Sequence, residues 1–370
     1  MSPPVLFVTN YVPPARVGAF AALAEREPVE LALFGGRVHH GAVELGGVAP
    51  PDLPFPTRAI AQREAFTLAA SGRYRAVVAG TVGRTALLAA YLGARCAGVP
   101  FVLWATLWAQ PKGPAGLAGY PALRWIYAHA DAVVTYGPHV SAYVTARGAL
   151  QVREAPQAVD ADFWSQAPEA AAIEAARHAS FQALFTGRLL REKGVRVLLS
   201  AWRMTGLEAP HAALVLVGRG PERARAAATG ALAPGELAPG DIRNFYAASD
   251  VVVVPSIPTR TFREPWGLVV NEAMSQGRAV IATDAVGAAA GGLVQSGRNG
   301  LVVPAGDASA LAAALRRLHD DPAERARLGA AGRQDVRGYT HAAWADAVAA
   351  ALADAAGRRP PARGAPAGED

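Results

Sequence analysis

One cysteine, Cys96, is all that the 370-residue chain contains. No intrachain disulfide can form, which fits a reducing compartment. Lysine is nearly as scarce: Lys112 and Lys193 are the two present, and arginine supplies the rest of the 36 basic residues. No apolar run approaches the ~20 residues that a membrane-spanning helix needs. The opening MSPPVLFVTN has neither a basic start nor a long apolar stretch, so no secretory signal is expected there. These absences predict a soluble cytoplasmic protein and leave peripheral contact with a membrane open. Concentrated charge is missing too. The chain carries 36 Lys/Arg against 30 Asp/Glu, a net +6. Residues 1–165 hold 13 against 10 and the remainder 23 against 20, so each half is +3. With no basic run interleaved with aromatics, nucleic acid is not an expected partner. The mild surplus suits an anionic small molecule or an anionic lipid surface.

What is present is a folded composition, 52% hydrophobic and 18% charged, long enough for two cores. Short β-rich runs alternate with Ala/Leu-rich helical stretches, twice over. The first series is VLFVTN (5–10), VELALF (29–34), YRAVVAG (74–80), FVLWAT (101–106) and AVVTY (132–136). The second is FQALFTG (181–187), AALVLVG (212–218), VVVVPS (251–256), RAVIATD (278–284) and GLVVP (300–304). Continuous apolar strands are those covered on both faces, so the pattern predicts two parallel, doubly wound sheets. The expected domains are 1–165 and 166–350, Rossmann-like and facing across a cleft, with a disordered tail at 357–370. In open α/β sheets ligands bind beyond the carboxyl ends of the strands, which directs attention to the loops there.

Three of those loops carry chemistry. In REPWGLVVNEAMSQGRAVIATD (263–284), Glu264 precedes a helix expected over Leu268–Gln276 and Glu272 lies one turn inside it. Free N–H groups at a helix start favour an anion, Gly267 allows close backbone approach, and each carboxylate accepts from neighbouring hydroxyls. An anion flanked by two polyols has the layout of a nucleotide-sugar. The bland alternative is an acid favourable to the helix dipole plus a solvated glutamate. In FTGRLLREKGVRVLLSAW (185–202), Arg188 and Lys193 follow a strand ending at Gly187; a planar fork and a compact cation both suit a diphosphate. The alternative is a solvated basic loop. In LVGRGPERARAAA (216–228), Gly218 and Gly220 invite a dinucleotide fingerprint, but Arg223 occupies the third glycine position and no acid ends a following strand. A tight turn is the better reading, and a nicotinamide dehydrogenase is disfavoured.

Other features are weaker. Asp160-Ala161-Asp162 has the look of a metal-binding D-x-D but reads as a capped linker turn. His39, His40, His129 and His139 lack metal-ligand spacing, so no metal is expected. In WATLWAQP (104–111), Trp104 suits a core and Trp108 a pocket lining, with Lys112 placed to meet a phosphate or an acidic acceptor.

Together these pieces resemble the family 4 retaining glycosyltransferases, which have the GT-B fold and use nucleotide-sugars. Glu264 and Glu272 match the E-x7-E element, Gly187-Arg188 with Lys193-Gly194 the G-R-x(4)-K-G loop, and LVGRGP the L-V-G-x-G-P turn. The likeness covers about residues 180–330, including AVIATDAVGAAAGGLVQSGRNGLVVPAGDASALAAAL (279–315). It implies that Arg188 and Lys193 hold the donor diphosphate, that Glu272 binds the ribose hydroxyls, that Gly187 and Gly218 belong to the donor site, and that Glu264 with the backbone around Trp266, Gly267 and Leu268 holds the sugar. It implies retention of configuration without a metal or other cofactor, by front-face displacement. The first domain departs from the pattern. NYVPPARVGAF (10–20) has Gly18 alone where many relatives have a glycine pair; Arg16 matches an arginine of one subgroup and Ala15 replaces its tyrosine. WATLW stands where many relatives place a histidine. Arg16, Gly18, Trp108 and Lys112 are the expected acceptor-side residues. The expected function is transfer of a sugar to a hydroxyl of a glycan, lipid-linked sugar or secondary metabolite. The alternatives are another GT-B enzyme, such as a sugar-nucleotide epimerase or a phosphorylase, and a non-catalytic nucleotide-sugar-binding protein.

Overall fold

The computed structural model describes residues 2–35, 53–110 and 112–357. The expected tail and His39-His40 lie outside the described residues, apart from Gly357. Two parallel sheets organise the chain. The first contains β1 (Val5–Thr9), β2 (Val29–Leu33), β3 (Thr57–Ala59), β4 (Ala76–Gly80), β5 (Phe101–Ala105), β6 (Ala132–Thr135) and β7 (Val152–Glu154), in the order β3-β2-β1-β4-β5-β6-β7. The second contains β8 (Phe181–Thr186), β9 (Ala212–Val217), β10 (Leu232–Gly235), β11 (Val251–Val254), β12 (Ala279–Thr283) and β13 (Gly300–Val303), in the order β10-β9-β8-β11-β12-β13.

The central strands are buried along their whole length, β1, β4, β5, β8, β11 and β12 without exception. That is why their sequences are unbroken apolar runs. The strands that sequence reasoning did not pick out, β3, β7 and β10, all lie at sheet edges. An edge strand buries less and needs no continuous apolar run. Pro234 within β10 is tolerated there because an edge strand can do without one ladder hydrogen bond.

The chain packs as two units: residues 1–107, 117–155 and 342–370 form one, and 108–116 with 156–341 the other. The boundary therefore falls at 155/156, not at 165/166. The final helix, His341–Gly357, was expected in the second domain but belongs almost wholly to the first unit. Its Trp344, 1% exposed, stands edge-on to Phe20 at 5.2 Å and to Trp104 at 6.0 Å between ring centroids. Phe7 meets Phe20 and Trp104 edge-on at 4.9 and 5.4 Å, completing an aromatic core. Arg26 and Arg153 fasten the same helix through Asp346 and Asp354, at 2.5 and 2.7 Å. The second unit has a largely aliphatic core, in which Phe181, Ala183 and Phe185 of β8 pack with Leu198, Leu214, Val253, Ile281 and Leu315.

Candidate active site

In the second sheet, strand order reverses between the adjacent strands β8 and β11. This is a topological switch point, where ligands bind in doubly wound folds. Three loops meet at the carboxyl ends of β8, β9 and β11, and glycine lets them touch. Gly218 has φ +138°, and a Cβ on it would lie 1.9 Å from the Gly187 carbonyl oxygen. Gly194 has φ +74°, and a Cβ there would lie 1.8 Å from the Pro255 carbonyl oxygen. A side chain fits neither the backbone conformation nor the space. Leu189 N–H donates to Arg219 O at 2.7 Å, and Glu222 N–H to Leu189 O at 3.1 Å, which lace the β8 and β9 loops together.

Lys193 and Glu264 come from the loops after β8 and β11, and their side chains meet. The buried Glu264 carboxylate accepts from Lys193 Nζ through Oε2 in a short ion pair. The same oxygen accepts from Ser256 Oγ at 3.0 Å. Ser256 is itself placed by Thr283, whose hydroxyl donates to its carbonyl at 2.5 Å. The Glu264 backbone is clamped as firmly. Its carbonyl accepts from Trp108 Nε1 at 3.0 Å and from Gly287 N–H at 3.1 Å. Phe262 closes one side, its ring centroid 5.4 Å from Lys193 Nζ. The pair presents a cation and a carboxylate side by side, groups that suit an anion and a hydroxyl respectively.

The second carboxylate is held differently. Glu272 Oε2 accepts from Tyr246 OH at 2.7 Å. With its one proton given to Glu272, the Tyr246 oxygen accepts from Thr186 Oγ1 at 2.6 Å, at the end of β8. Burial pushes the Glu272 pKa up to about 7, against the opposing pull of the tyrosine hydrogen bond. Burial likewise pushes the Tyr246 phenol well up, reinforced by the neighbouring Glu272. The helix carrying Glu272 spans Val269–Ser275, shorter at both ends than expected. Gly267 enters it at φ +92°. Trp266 is buried and donates through Nε1 to Asn271 Oδ1 at 2.8 Å, while Asn271 Nδ2 donates to Gln157 O at 2.8 Å. Leu268 stands at the helix start.

Gly187, Arg188, Lys193, Gly218, Glu264, Trp266, Gly267, Leu268 and Glu272 therefore all lie in the second unit, on loops or helix ends following its strands. Arg188 follows Gly187 and is partly exposed. The acceptor-side expectations need correction. Trp108 and Lys112 belong to the second unit, not the first: Arg263 lies over the Trp108 ring at 3.9 Å, and Lys112 N–H donates to Arg260 O at 2.7 Å. Arg16 and Gly18 sit in the helix Pro14–Arg26, not in a loop. Arg16 lies 5.1 Å from the Trp104 ring and donates to Tyr136 OH at 2.9 Å. Asp160 caps the helix Ala161–Ser165 by accepting from Phe163 N–H, as a linker turn should. Sequence reasoning missed Thr186, Tyr246, Ser256 and Asn271. Thr186 and Ser256 carried one signal, a hydroxyl at the carboxyl end of a central strand; Tyr246 and Asn271 read as ordinary helix-core residues.

The fold is GT-B, as comparison with solved structures shows. An Anabaena protein, Alr3699/HepE, crystallised in complex with UDP and glucose, superposes with a TM-score of 0.74 at 18% identity, covering 95% of this chain and 100% of that one. Sucrose-phosphate synthase from Thermosynechococcus elongatus gives 0.70 at 22% identity, covering 93% and 96%. Residues 180–321 match the family model described as glycosyl transferases group 1. That match falls within the second unit, where the motifs that carry the resemblance also lie. Among sequence relatives, the phosphatidyl-myo-inositol mannosyltransferase of Mycobacterium leprae is 33% identical over 192 residues, 50% of this chain and 49% of that protein. The lipopolysaccharide core biosynthesis glycosyltransferase LpsD of Rhizobium meliloti is 30% identical over 240 residues, 60% and 63%. The matched regions span about half to three-fifths of these relatives' own lengths.

Proposed function

We propose that the protein is a retaining glycosyltransferase that moves a sugar from a nucleotide-diphosphate-sugar to an acceptor hydroxyl without a metal ion. The observation that carries this reading is the Lys193–Glu264 pair, held between the loops of adjacent strands at the switch point. A donor diphosphate draws Lys193 toward itself, and Arg188 adds a planar fork of donors. Glu264 then turns its acceptor capacity to the hydroxyls of the donor sugar. Glu272, with Tyr246 fixing one oxygen, receives the ribose hydroxyls on the other. The acceptor oxygen attacks the anomeric carbon from the face that the diphosphate leaves. The carbon–phosphate-oxygen bond breaks as the new glycosidic bond forms, and the acceptor proton passes to the departing phosphate. Side-chain cations stabilise the charge that develops on the leaving group, so neither a metal nor a protein nucleophile takes part.

Melting the purified protein with UDP, GDP, TDP or ADP in the presence of EDTA tests this. One nucleotide at ~100 times its dissociation constant is expected to stabilise by about 2.7 kcal/mol. Glu264→Ala should abolish transfer while the fold survives, and NMR of the product should show the donor's anomeric configuration. No shift with any nucleotide or intact nucleotide-sugar, with or without added Mg²⁺ or Mn²⁺, would overturn the proposal.

A further inference from the structure

The first unit carries a helical surface that holds none of the candidate site residues. The helices Glu64–Ala69, Arg84–Cys96, Pro114–His129 and Pro138–Thr145 each precede a strand lying further along the sheet in one direction, from β4 to β7. Right-handed crossovers therefore place them on one face. Contacts join them into a layer. A Cβ on Gly93 would lie 2.6 Å from Phe66 O, Arg95 donates to His129 O, and Tyr127 meets Tyr143 edge-on at 6.2 Å.

The outer side of this layer is apolar to a degree the second unit does not match. Leu117 and Trp125 are 56% and 58% exposed, and Phe66, Leu88, Leu92 and Leu150 are also exposed. On the helix Pro114–His129 the outward positions Leu117, Ala118, Pro121, Arg124, Trp125 and His129 recur at helical spacing. His129 stacks on Trp125 at 3.7 Å, bracing the ring on the outer face. The charge is one-sided as well. Residues 65–130 contain six Lys/Arg and no Asp or Glu. Arg73 and Arg75 are taken up by Glu30 and Glu27, and the next acid, Asp131, is bound by Arg95 at 2.8 Å. Glu64 turns back to accept from Ala61 N–H at 2.7 Å. Arg124 and Arg147 meet no carboxylate among the described residues.

We propose that this helical layer docks on an anionic lipid bilayer, with Trp125 and Leu117 entering the interface and Arg124 and Arg147 meeting lipid phosphates. Tryptophan, leucine and arginine on one face without acids are the composition of an interfacial anchor, and the missing acids remove the repulsion that an anionic surface would otherwise meet. A protein partner would have to set carboxylates opposite both arginines, whereas an anionic bilayer offers phosphates at every point of its surface. The helix lies on the surface; no helix among the described residues is long and apolar enough to cross a membrane.

Co-sedimentation with vesicles of equal parts phosphatidylglycerol and phosphatidylcholine, and with phosphatidylcholine alone, tests the proposal. The full chain should sediment with the first and not the second. The double variant Arg124→Glu, Trp125→Ser should lose about tenfold in partitioning while its nucleotide-induced melting shift stays that of the wild type. Hydrogen exchange of the unaltered protein should slow in residues 114–129 when anionic vesicles are added, which keeps the test intact if the variant folds poorly. Failure to sediment, equal sedimentation of variant and wild type, or unslowed exchange would overturn it. So would light scattering showing a dimer that the variant abolishes, which would make a second copy the occupant. A nucleotide shift without vesicle binding would leave the proposed catalysis standing and remove this inference alone.

Discussion

The two sheets are built on one plan, yet their loops and surfaces differ in kind. Beyond β8, β9, β11 and β12 the second unit has loops pressed to van der Waals limits, with glycine at each close approach. The two site carboxylates there already have protein partners. The first unit pairs carboxylates too, but Glu27 with Arg75 and Asp131 with Arg95 stand ahead of β2 and β6 rather than beyond a strand's carboxyl end. It keeps a core of edge-on aromatics and an outer helical layer rich in exposed apolar side chains. One unit is organised to hold charge in fixed places, the other to present area. Proteins with one topology reach different tasks through the loops at their strand ends rather than through the strands themselves.

The sharpest way to break the contrast is to unmake the first unit's core. Trp344→Ala should destabilise by about 3–5 kcal/mol, read as a drop in denaturation midpoint, with the site loops touched only through global unfolding. Lys193→Met should act on the chemistry: transfer should fall by about two to three orders of magnitude, roughly 2.7–4 kcal/mol of transition-state stabilisation, beyond the fall in melting temperature that follows when the buried Glu264 carboxylate loses its cation. A first-unit residue with as large an effect on transfer at unchanged stability would undo the division of labour.

Glu272 sharpens it through pH. Its native carboxyl holds a proton up to about pH 7, whereas in the unfolded chain it loses it near the ordinary glutamate value, about 4.3. Between those values unfolding releases a proton, so this group makes stability fall as pH rises through the window, by at most about 3–4 kcal/mol once both states are ionised. Glu272→Gln should flatten that slope in melts taken from pH 4.5 to 8. Hydroxyls that donate to the carboxylate favour its charged form. Nucleotide binding should therefore release a proton below pH 7, seen as a buffer-dependent heat in calorimetry, and the variant should lose it. The smallest effect belongs to the linker: Asp160→Ala removes a helix cap and should cost about 1 kcal/mol, with transfer unchanged.

Legibility in the sequence tracked burial and glycine. Central strands were readable because burial on both faces demands unbroken apolar runs, and β8 and β11 were placed almost to the residue. Edge strands such as Thr57–Ala59 were not, because every residue there is exposed. Arg188, Lys193, Glu264 and Glu272 stood out through motif spacing. Tyr246 did not, since its partners Glu272 and Thr186 are 26 and 60 positions away. Trp108 was assigned to the wrong unit for a similar reason: its decisive bond, to the Glu264 carbonyl, spans 156 positions, and no local pattern records it.

The return of the last helix to the first unit makes the second unit an insertion. Apart from the excursion at 108–116, the chain leaves the first unit at 155 and re-enters it at 342. On the ribosome, then, the first unit is emitted early and finished late. Its sheet emerges with Phe20 and Trp104 lacking the indole that covers them, while the whole second unit is still to be made. Synthesis from end to end thus orders assembly: the insert has its entire core to hand before its host does, and a chain that stalls short of Trp344 leaves a host with a gap at its centre.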